Sequence, residues 1–483
     1  MYKNLTLTLL ACFLMCNGII AQETWSLEKC IRYAWENNIS IKGAEINVAD
    51  NRLIEKGNKY SRLPNINGSV SGSYQFGRTI DPVTNQFNSL SIGANRLGLD
   101  AGVTLYNGNR ISNTIKQAGY NLQASMHDLA QMKNDISLSI ASSYLNILFA
   151  EEQLDAAIKR KELSESQLSQ VDKLIRAGAR PQNDRLEILA TIARNDQAII
   201  AQENAVENGI LSLKNLLLLE PSRDIKIEKP QSVVIASEDN PDVLKFNDLY
   251  NSSINNQPFV KADENRLKSA VIGKDIARSG LMPRLSAFAG LSTNYSTRGQ
   301  RSDGTFQDVL STQPALIDET PTTPIIPITL LIPQAIPGRE DNPYGNQLNE
   351  NFGQNIGVSL SIPIYNNHQN LVNIDRAELN VLRNQLTAET NKQNLKNNIQ
   401  TAISNARAAK RTLAASDRTV EASTAAFQNS EKQFQLGTIN TFEYATAKNN
   451  LDQAEVDLII AKYDYLFKLK VLDFYQGKKL ELK

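Results

Sequence analysis

The chain has 483 residues with Lys+Arg and Asp+Glu both at 51, so no basic excess exists to hold a nucleic-acid backbone or an anionic membrane surface. Its two histidines, His127 and His368, lie far apart, and no Cys/His cluster or HExxH spacing occurs, which leaves a zinc site nothing to be built from. Neither a phosphate-binding glycine loop nor a nucleophile elbow is present, so neither a cofactor nor an enzyme activity is expected.

Residues 1–21 read as a secretory signal peptide: Lys3, an apolar run from Leu5 to Ile20, and a small residue at Ala21 before the cut at Gln22. Met15 before Cys16 argues against lipidation, because a lipoprotein signal places a small residue there. Cys12 and Cys16 fall inside the signal, which leaves Cys30 alone and predicts an inert packed thiol. Beyond the signal no segment reaches the roughly 18 consecutive apolar residues of a membrane-spanning helix. A chain like this crosses a membrane only with strands.

Residues 22–63 are expected to open a first repeat as a helix, and 64–107 to form a β-hairpin. After Pro64, Ile66, Gly68, Val70, Gly72, Tyr74 and Phe76 alternate with polar residues, a period of two over about ten residues, the span of a tilted transmembrane strand. The return strand carries Leu97, Leu99, Ala101, Val103 and Leu105 on one face, against Gly98, Asp100, Gly102 and Thr104 on the other. From Asn109 to Ala177 there is no proline and only Gly119 as glycine, so 108–219 reads as a long helical hairpin with its tip near 178–184. At about 1.5 Å per residue, such a helix reaches roughly 100 Å, too long for a compact globule. Residues 220–245, with Pro221, Pro230 and Pro241, read as an irregular connector containing one short strand, packed outside the helical hairpins.

The unit then repeats. Asn37-Asn38 recurs as Asn256-Gln257 and Leu63-Pro64 as Met282-Pro283 at an offset of 219; Leu105-Tyr106 recurs as Ile364-Tyr365, Gly178 as Gly437 and Asp184 as Glu443 at an offset of 259. A second opening helix is therefore expected over 246–282, a second β-hairpin over 283–366 and a second helical hairpin over 367–475 with its tip near 437–443, followed by a tail, 476–483. The second strand pair places Leu285, Ala287, Ala289 and Leu291, then Ile356, Val358, Leu360, Ile362 and Ile364, on apolar faces, with Phe288 intruding on a polar one. The jump of 40 falls on a long loop, 298–347, in the region where seven of the sixteen prolines lie. Val70, Leu99, Val103, Val358 and Leu360 are the positions expected to face lipid. Four strands cannot close a barrel, since lipid tolerates no open sheet edge, so several chains must contribute.

These residues resemble the TolC-like outer-membrane factor family, also called outer membrane efflux proteins, over essentially the whole mature chain. The resemblance rests on the Asn-rich opening helix, Pro64 and Pro283 before the strands, Tyr106-Asn107-Gly108 and Tyr365-Asn366-Asn367 after them, and the two tips. It implies a mainly α fold with a transmembrane β part: a homotrimer whose twelve-stranded outer-membrane β-barrel continues into a periplasmic α-helical barrel. The tips, represented by Gly178, Ala179, Leu436, Gly437 and Thr438, would meet a periplasmic adaptor (membrane fusion) protein coupled to an inner-membrane pump of RND or ABC type. Arg180, Asp184, Phe434 and Glu443 would stand at a periplasmic aperture. An Asn or Thr after each tip glycine would cap the next helix. The partners implied are copies of the chain, outer-membrane lipid, adaptor and pump, and no nucleic acid. The expected function is the exit duct of tripartite efflux; type I protein secretion uses the same duct, and a secreted coiled-coil scaffold or adhesin is the alternative of a different class.

Overall fold

The computed structural model describes residues 23–77, 79–80, 85–88, 91–229, 240–317 and 326–478. The expected signal peptide with Cys16, the Val233–Ile235 stretch of the connector and residues 479–483 of the tail lie outside the described residues.

In chain order, the first repeat comprises β1 (Glu23–Trp25), α1 (Leu27–Asn37), α2 (Ile39–Tyr60), β2 (Asn65–Gln75), the short β3 (Thr79–Ile80) and β4 (Phe87–Asn88), β5 (Ile92–Tyr106), α3 (Arg110–Arg176) and α4 (Gln182–Leu217). After β6 (Ile225–Ile227) come α5 (Phe246–Asn256), α6 (Pro258–Arg278), β7 (Arg284–Ser296), β8 (Gln300–Ile317), β9 (Ile326–Asp341), α7 (Tyr344–Glu350), β10 (Gly353–Ser361), α8 (Gln369–Gln435) and α9 (Thr441–Gln476). The duplication is visible in the lengths: α1 and α5 both have 11 residues, α3 and α8 both 67, and α4 and α9 both 36.

Two compact units result. The first, Met1–Glu55, Lys116–Ile272 and Ala377–Lys483, is helical and holds two related cores. Cys30, Ile140, Ile147 and Leu213 are fully buried in one; Leu249, Ile399, Ala406 and Leu472, at the positions equivalent by repeat, are buried in the other. Each of the buried leucines and isoleucines contributes about 1.5–3 kcal/mol when removed from water. The paired asparagines of the opening helix have a structural purpose. Asn38 breaks α1 from α2 and is buried; its Nδ2 donates to the Leu216 carbonyl at 3.0 Å while its Oδ1 accepts from Ser40 N at 2.9 Å. Gln257 takes the same place in the second repeat, donating to the Phe474 carbonyl at 3.2 Å. The N-terminal β1 pairs in parallel with β6 of the connector, and the Tyr144 hydroxyl donates to the Glu228 carbonyl at 2.6 Å beside it.

Within this unit α3 meets α2 through Lys133–Glu45 (3.4 Å) and α6 through Arg266–Asp128 (2.5 Å) and Ser269–Asn121 (2.6 Å). On its other side α6 meets α8, where Asn391 Nδ2 donates to Asp263 at 2.7 Å. The helices therefore stand side by side in the order α2, α3, α6, α8.

The second unit, Lys56–Ile115 and Gly273–Arg376, contains a four-stranded antiparallel sheet in the order β10-β7-β5-β2. Residues directly opposite share a face. The register sets Val70 opposite Leu97, Leu99 opposite Leu291, Val103 opposite Ala287, and Ala287 opposite Val358, so the apolar parities of all four strands coincide. Phe288, on the polar parity, closes over Gly357, where a Cβ would stand 2.6 Å from its ring. The apolar alternation in the sequence runs to Ile364, but β10 ends at Ser361, because Pro363 has no N–H to give a ladder.

The 298–347 segment, expected as a loop, is largely a two-stranded ribbon of β8 and β9. Its base is tied to the sheet by Gln347, which is 2% exposed. The Gln347 side chain accepts from Ser296 N at 3.0 Å and donates to the carbonyls of Ser296 (3.0 Å) and Asn342 (2.8 Å).

Candidate functional site

Both helical hairpins turn in five residues, and both turns are closed by glycine in the left-handed region, Gly178 at φ 75° and Gly437 at φ 73°. Gly178 N donates to the Ile175 carbonyl and Ala179 N to that of Leu174, each at 2.9 Å; Gly437 N and Thr438 N repeat the pattern to Phe434 and Gln433 at 3.0 and 2.9 Å. These paired bonds satisfy the last carbonyls of α3 and α8 and reverse the chain at once. Open space surrounds the Cβ position of either glycine, and Leu436 beside the second is 78% exposed.

The next helices start differently. Asn440 caps α9: its Oδ1 accepts from Glu443 N at 2.8 Å, and its Nδ2 donates to Glu443 Oε1 at 3.2 Å, which holds the capping side chain in place. The same capping was expected at the first tip, but there the cap position is Pro181 without a side-chain bond, and Asn183 lies already inside α4. Proline is tolerated because the leading N–H groups of a helix have no partner within it. Asp184 and Glu443 both lie in the first turn, where negative charge meets the positive helix end.

Three of the four residues expected at an aperture come together around Arg180. Its Nη1 lies 3.5 Å from Asp184 Oδ2, its Nη2 donates to the Ile439 carbonyl at 3.3 Å, and its guanidinium stands 5.7 Å from the Phe434 ring centre. Phe434 stacks on Tyr444 (4.7 Å between centroids), which also meets Phe427 (5.6 Å), and Lys448 covers the far ring at 5.1 Å. Burial pushes the Tyr444 hydroxyl pKa upward, with Glu431 adding to the rise. Glu443 belongs to its own cap instead of this ladder. Arg180, Phe434, Leu436, Gly437, Ile439 and Glu443 line a shared groove of about 980 Å³ between the two tips. Phe427, Tyr444 and Lys448 were not singled out by sequence; the seven-residue spacing of Phe427 and Phe434, which sets both on one helix face, is the signal that could have found the first of them.

In the sheet unit, Val70 is 81% exposed, Val358 70%, Leu360 60% and Leu99 45%, while Val103 is half-buried. Aliphatic exposure of this extent on one continuous sheet face is unusual in water and marks an interaction or lipid surface. Tyr74 and Tyr295 lie at one end of that sheet and Tyr106 at the other. Among the described residues no helix is long and apolar enough to cross a membrane.

Against known proteins, the fold recurs in CusC, whose crystal structures concern transmembrane channel formation (TM-score 0.72, 18% identity, 94% of this chain and 92% of that one). It recurs also in the outer membrane protein VceC of Vibrio cholerae (TM-score 0.73, 12% identity, 94% of this chain and 97% of that one). A Haemophilus influenzae protein described as uncharacterized is 24% identical over 295 residues, 58% of this chain, and the chain spans about 60% of that relative's length. The sequence pattern of the outer membrane efflux protein family matches residues 31–217 and 337–478, which take in α3, α4, α8 and α9 with both tips, and the chain belongs to that family.

Proposed function

We propose that the chain is one protomer of a homotrimeric outer-membrane duct for small molecules, which takes its energy from an inner-membrane pump of RND or ABC type through a periplasmic adaptor. The observation that carries the reading is an unfinished symmetry. Within the chain, β5 of the first repeat pairs with β7 of the second, and α3 of the first packs on α6 of the second. The equivalent contacts, β10 with β2 and α8 with α2, need the second repeat of one copy and the first repeat of the next.

The surfaces left for those contacts have suitable chemistry. Ile39, Ile46 and Leu53, spaced by seven on α2, are 70%, 70% and 66% exposed; Leu379 and Leu386, spaced by seven on α8, are 61% and 64% exposed. Such strips fit helix against helix with knobs in holes. Head-to-tail contacts that repeat this way close into a ring when the rotation between copies is a whole fraction of a turn. Three copies supply twelve strands and twelve long-hairpin helices, a closed barrel for lipid and a hollow tube beyond it in the periplasm. The apolar strand face, including Val70, Leu99, Val103, Val358 and Leu360, then meets hydrocarbon and the polar face meets water. The groove between the tips, with the exposed Leu436 and the open space at Gly178, Ala179, Gly437 and Thr438, suits a docking helical hairpin from the adaptor. Arg180, Asp184, Phe434 and Glu443 stand beside it as the aperture group.

Cysteine pairs test the assembly: Ile46→Cys with Leu386→Cys, or Leu53→Cys with Leu379→Cys, because the antiparallel contacts Arg266–Asp128 and Ser269–Asn121 map by the repeat onto the levels 47–387 and 50–380. Oxidation is expected to yield dimers and trimers on a denaturing gel, from outer-membrane fractions only. Monomers alone from all such pairs, with the protein in a soluble fraction, would overturn the reading.

A further inference from the structure

The polar face of the sheet holds a row that neither packing nor folding explains. Asn67, Asp100, Gly290 and Asn355 are direct register neighbours across β2, β5, β7 and β10, so they stand at one level. Gly290 is the small member, and it matters. A Cβ built there would overlap Asn355 Oδ1 and lie 3.0 Å from Asp100 Oδ1. Two oxygens from strands on either side therefore lean over the one strand that carries no side chain. Asp100 is exposed and makes no ion pair among the described residues, and it is the one carboxylate on the polar parity of the four strands. The nearest cation on its strand and face is Arg96, four residues away or roughly 13 Å along a strand, too far to neutralise it. Arg96 is also free of any ion pair among the described residues, and its register neighbours are Ser71 and Asn294.

We propose that Asp100, with the carboxamides of Asn67 and Asn355 at its level, is a cation station on the water-filled side of the sheet, selecting for hydrated metal cations and amine-bearing solutes in transit. The proposal rests on the reading of this face as the lining of the duct. The chemistry is that of a hard-cation site: one carboxylate and neutral carbonyl oxygens per copy, water completing the shell. Rings of like charge inside a pore set which ions it passes. Gly290 permits the convergence, since any side chain there would part the Asp100 and Asn355 oxygens.

The test uses the full mature chain reconstituted in planar lipid bilayers under a KCl gradient, with CaCl2 as the probe. The unmodified protein is expected to lose conductance as Ca2+ reaches about the millimolar range typical of weak oxygen-ligand sites. Asp100→Asn is expected to abolish that block and to shift the reversal potential toward anions. Asp100→Glu should restore both, and Arg96→Gln should move the potential the opposite way while leaving the Ca2+ block in place. Pores of normal conductance in which Asp100→Asn changes neither reading would overturn the station while leaving the duct intact; that result also fits Asn355 turned to donate its amide to Asp100 as a closed structural pair. Failure of the unmodified chain to form pores at all would overturn the duct itself and the station with it.

Discussion

Arg180 in the first tip donates a hydrogen bond of 3.3 Å to the main-chain carbonyl of Ile439 in the second. This bond joins two turns that are otherwise each closed by their own glycine. It also fixes the guanidinium over Phe434 and beside Asp184, so one side chain holds both hairpin ends. Losing it is expected to cost about 1–2 kcal/mol locally, the scale of a charge-assisted bond with a partly exposed ring contact. Arg180→Ala should speed amide hydrogen exchange at residues 437–441. Arg180→Lys should do nearly the same, because an ammonium lacks the planar fork that reaches both partners. Unchanged exchange in both variants would show that the turns stand independently.

The tip glycines separate backbone strain from surface. Gly178 and Gly437 need a positive φ, yet nothing crowds their Cβ positions. Gly437→Asn should fold and couple nearly as well as the native chain, since asparagine visits that region, whereas Gly437→Val should cost about 1–2 kcal/mol in the turn. Gly178→Trp and Gly437→Trp carry the same backbone strain as Val, so with outer-membrane insertion intact they should impair efflux beyond Gly437→Val, the excess coming from the open space an adaptor would enter. Full efflux by both Trp variants would move the docking surface elsewhere.

What was legible in the sequence follows the range of the interaction. Strand parity is local, so the common apolar face of Val70, Leu97, Leu291 and Val358 could be read before any pairing was known. The ribbon could not. Pro314, Pro327, Pro333 and Pro337 argue for a loop, but a two-stranded ribbon has two outer edges where a missing N–H breaks no ladder bond. The Arg180 contact was hidden for another reason: its partner lies 259 residues away and is a carbonyl, which no side-chain pattern encodes. Arg180 and Phe434 could be suspected from the tips, while Tyr444 behind them depends on the way α8 and α9 pack.

The sheet face is tested by paired substitutions of opposite parity. Val358→Lys and Leu360→Lys should each cost roughly 2–4 kcal/mol if that face meets the middle of a bilayer. Ser359→Lys, between them on the polar parity, should cost far less. Urea titration of the protein folded in lipid vesicles measures all three. Equal costs at the two parities would mean that both faces meet the same medium.

Alkaline pH should weaken the first helical core, and the sign follows from burial. Cys30 is fully buried and its pKa is pushed from an ordinary 9.0 to about 12, chiefly because a thiolate there would lose its water, with Lys29 opposing only in part. The Tyr144 hydroxyl, in the same core, is also pushed upward, first by burial and then by Cys30 and Glu228. Above pH 9 the unfolded chain gives up protons that the folded chain keeps, so the unfolded state binds fewer, and stability falls as pH rises. The contribution is whole below pH 9 and is lost toward pH 12. Thermal unfolding followed from about pH 8 to about pH 11 should show a falling midpoint, and Cys30→Ala should flatten part of that fall while lowering the midpoint at neutral pH through the cavity it leaves. In the native protein, iodoacetamide should label Cys30 only after unfolding, because the folded thiol is both inaccessible and protonated. Rapid labelling at neutral pH would show that this core opens under native conditions and that burial does not hold the proton.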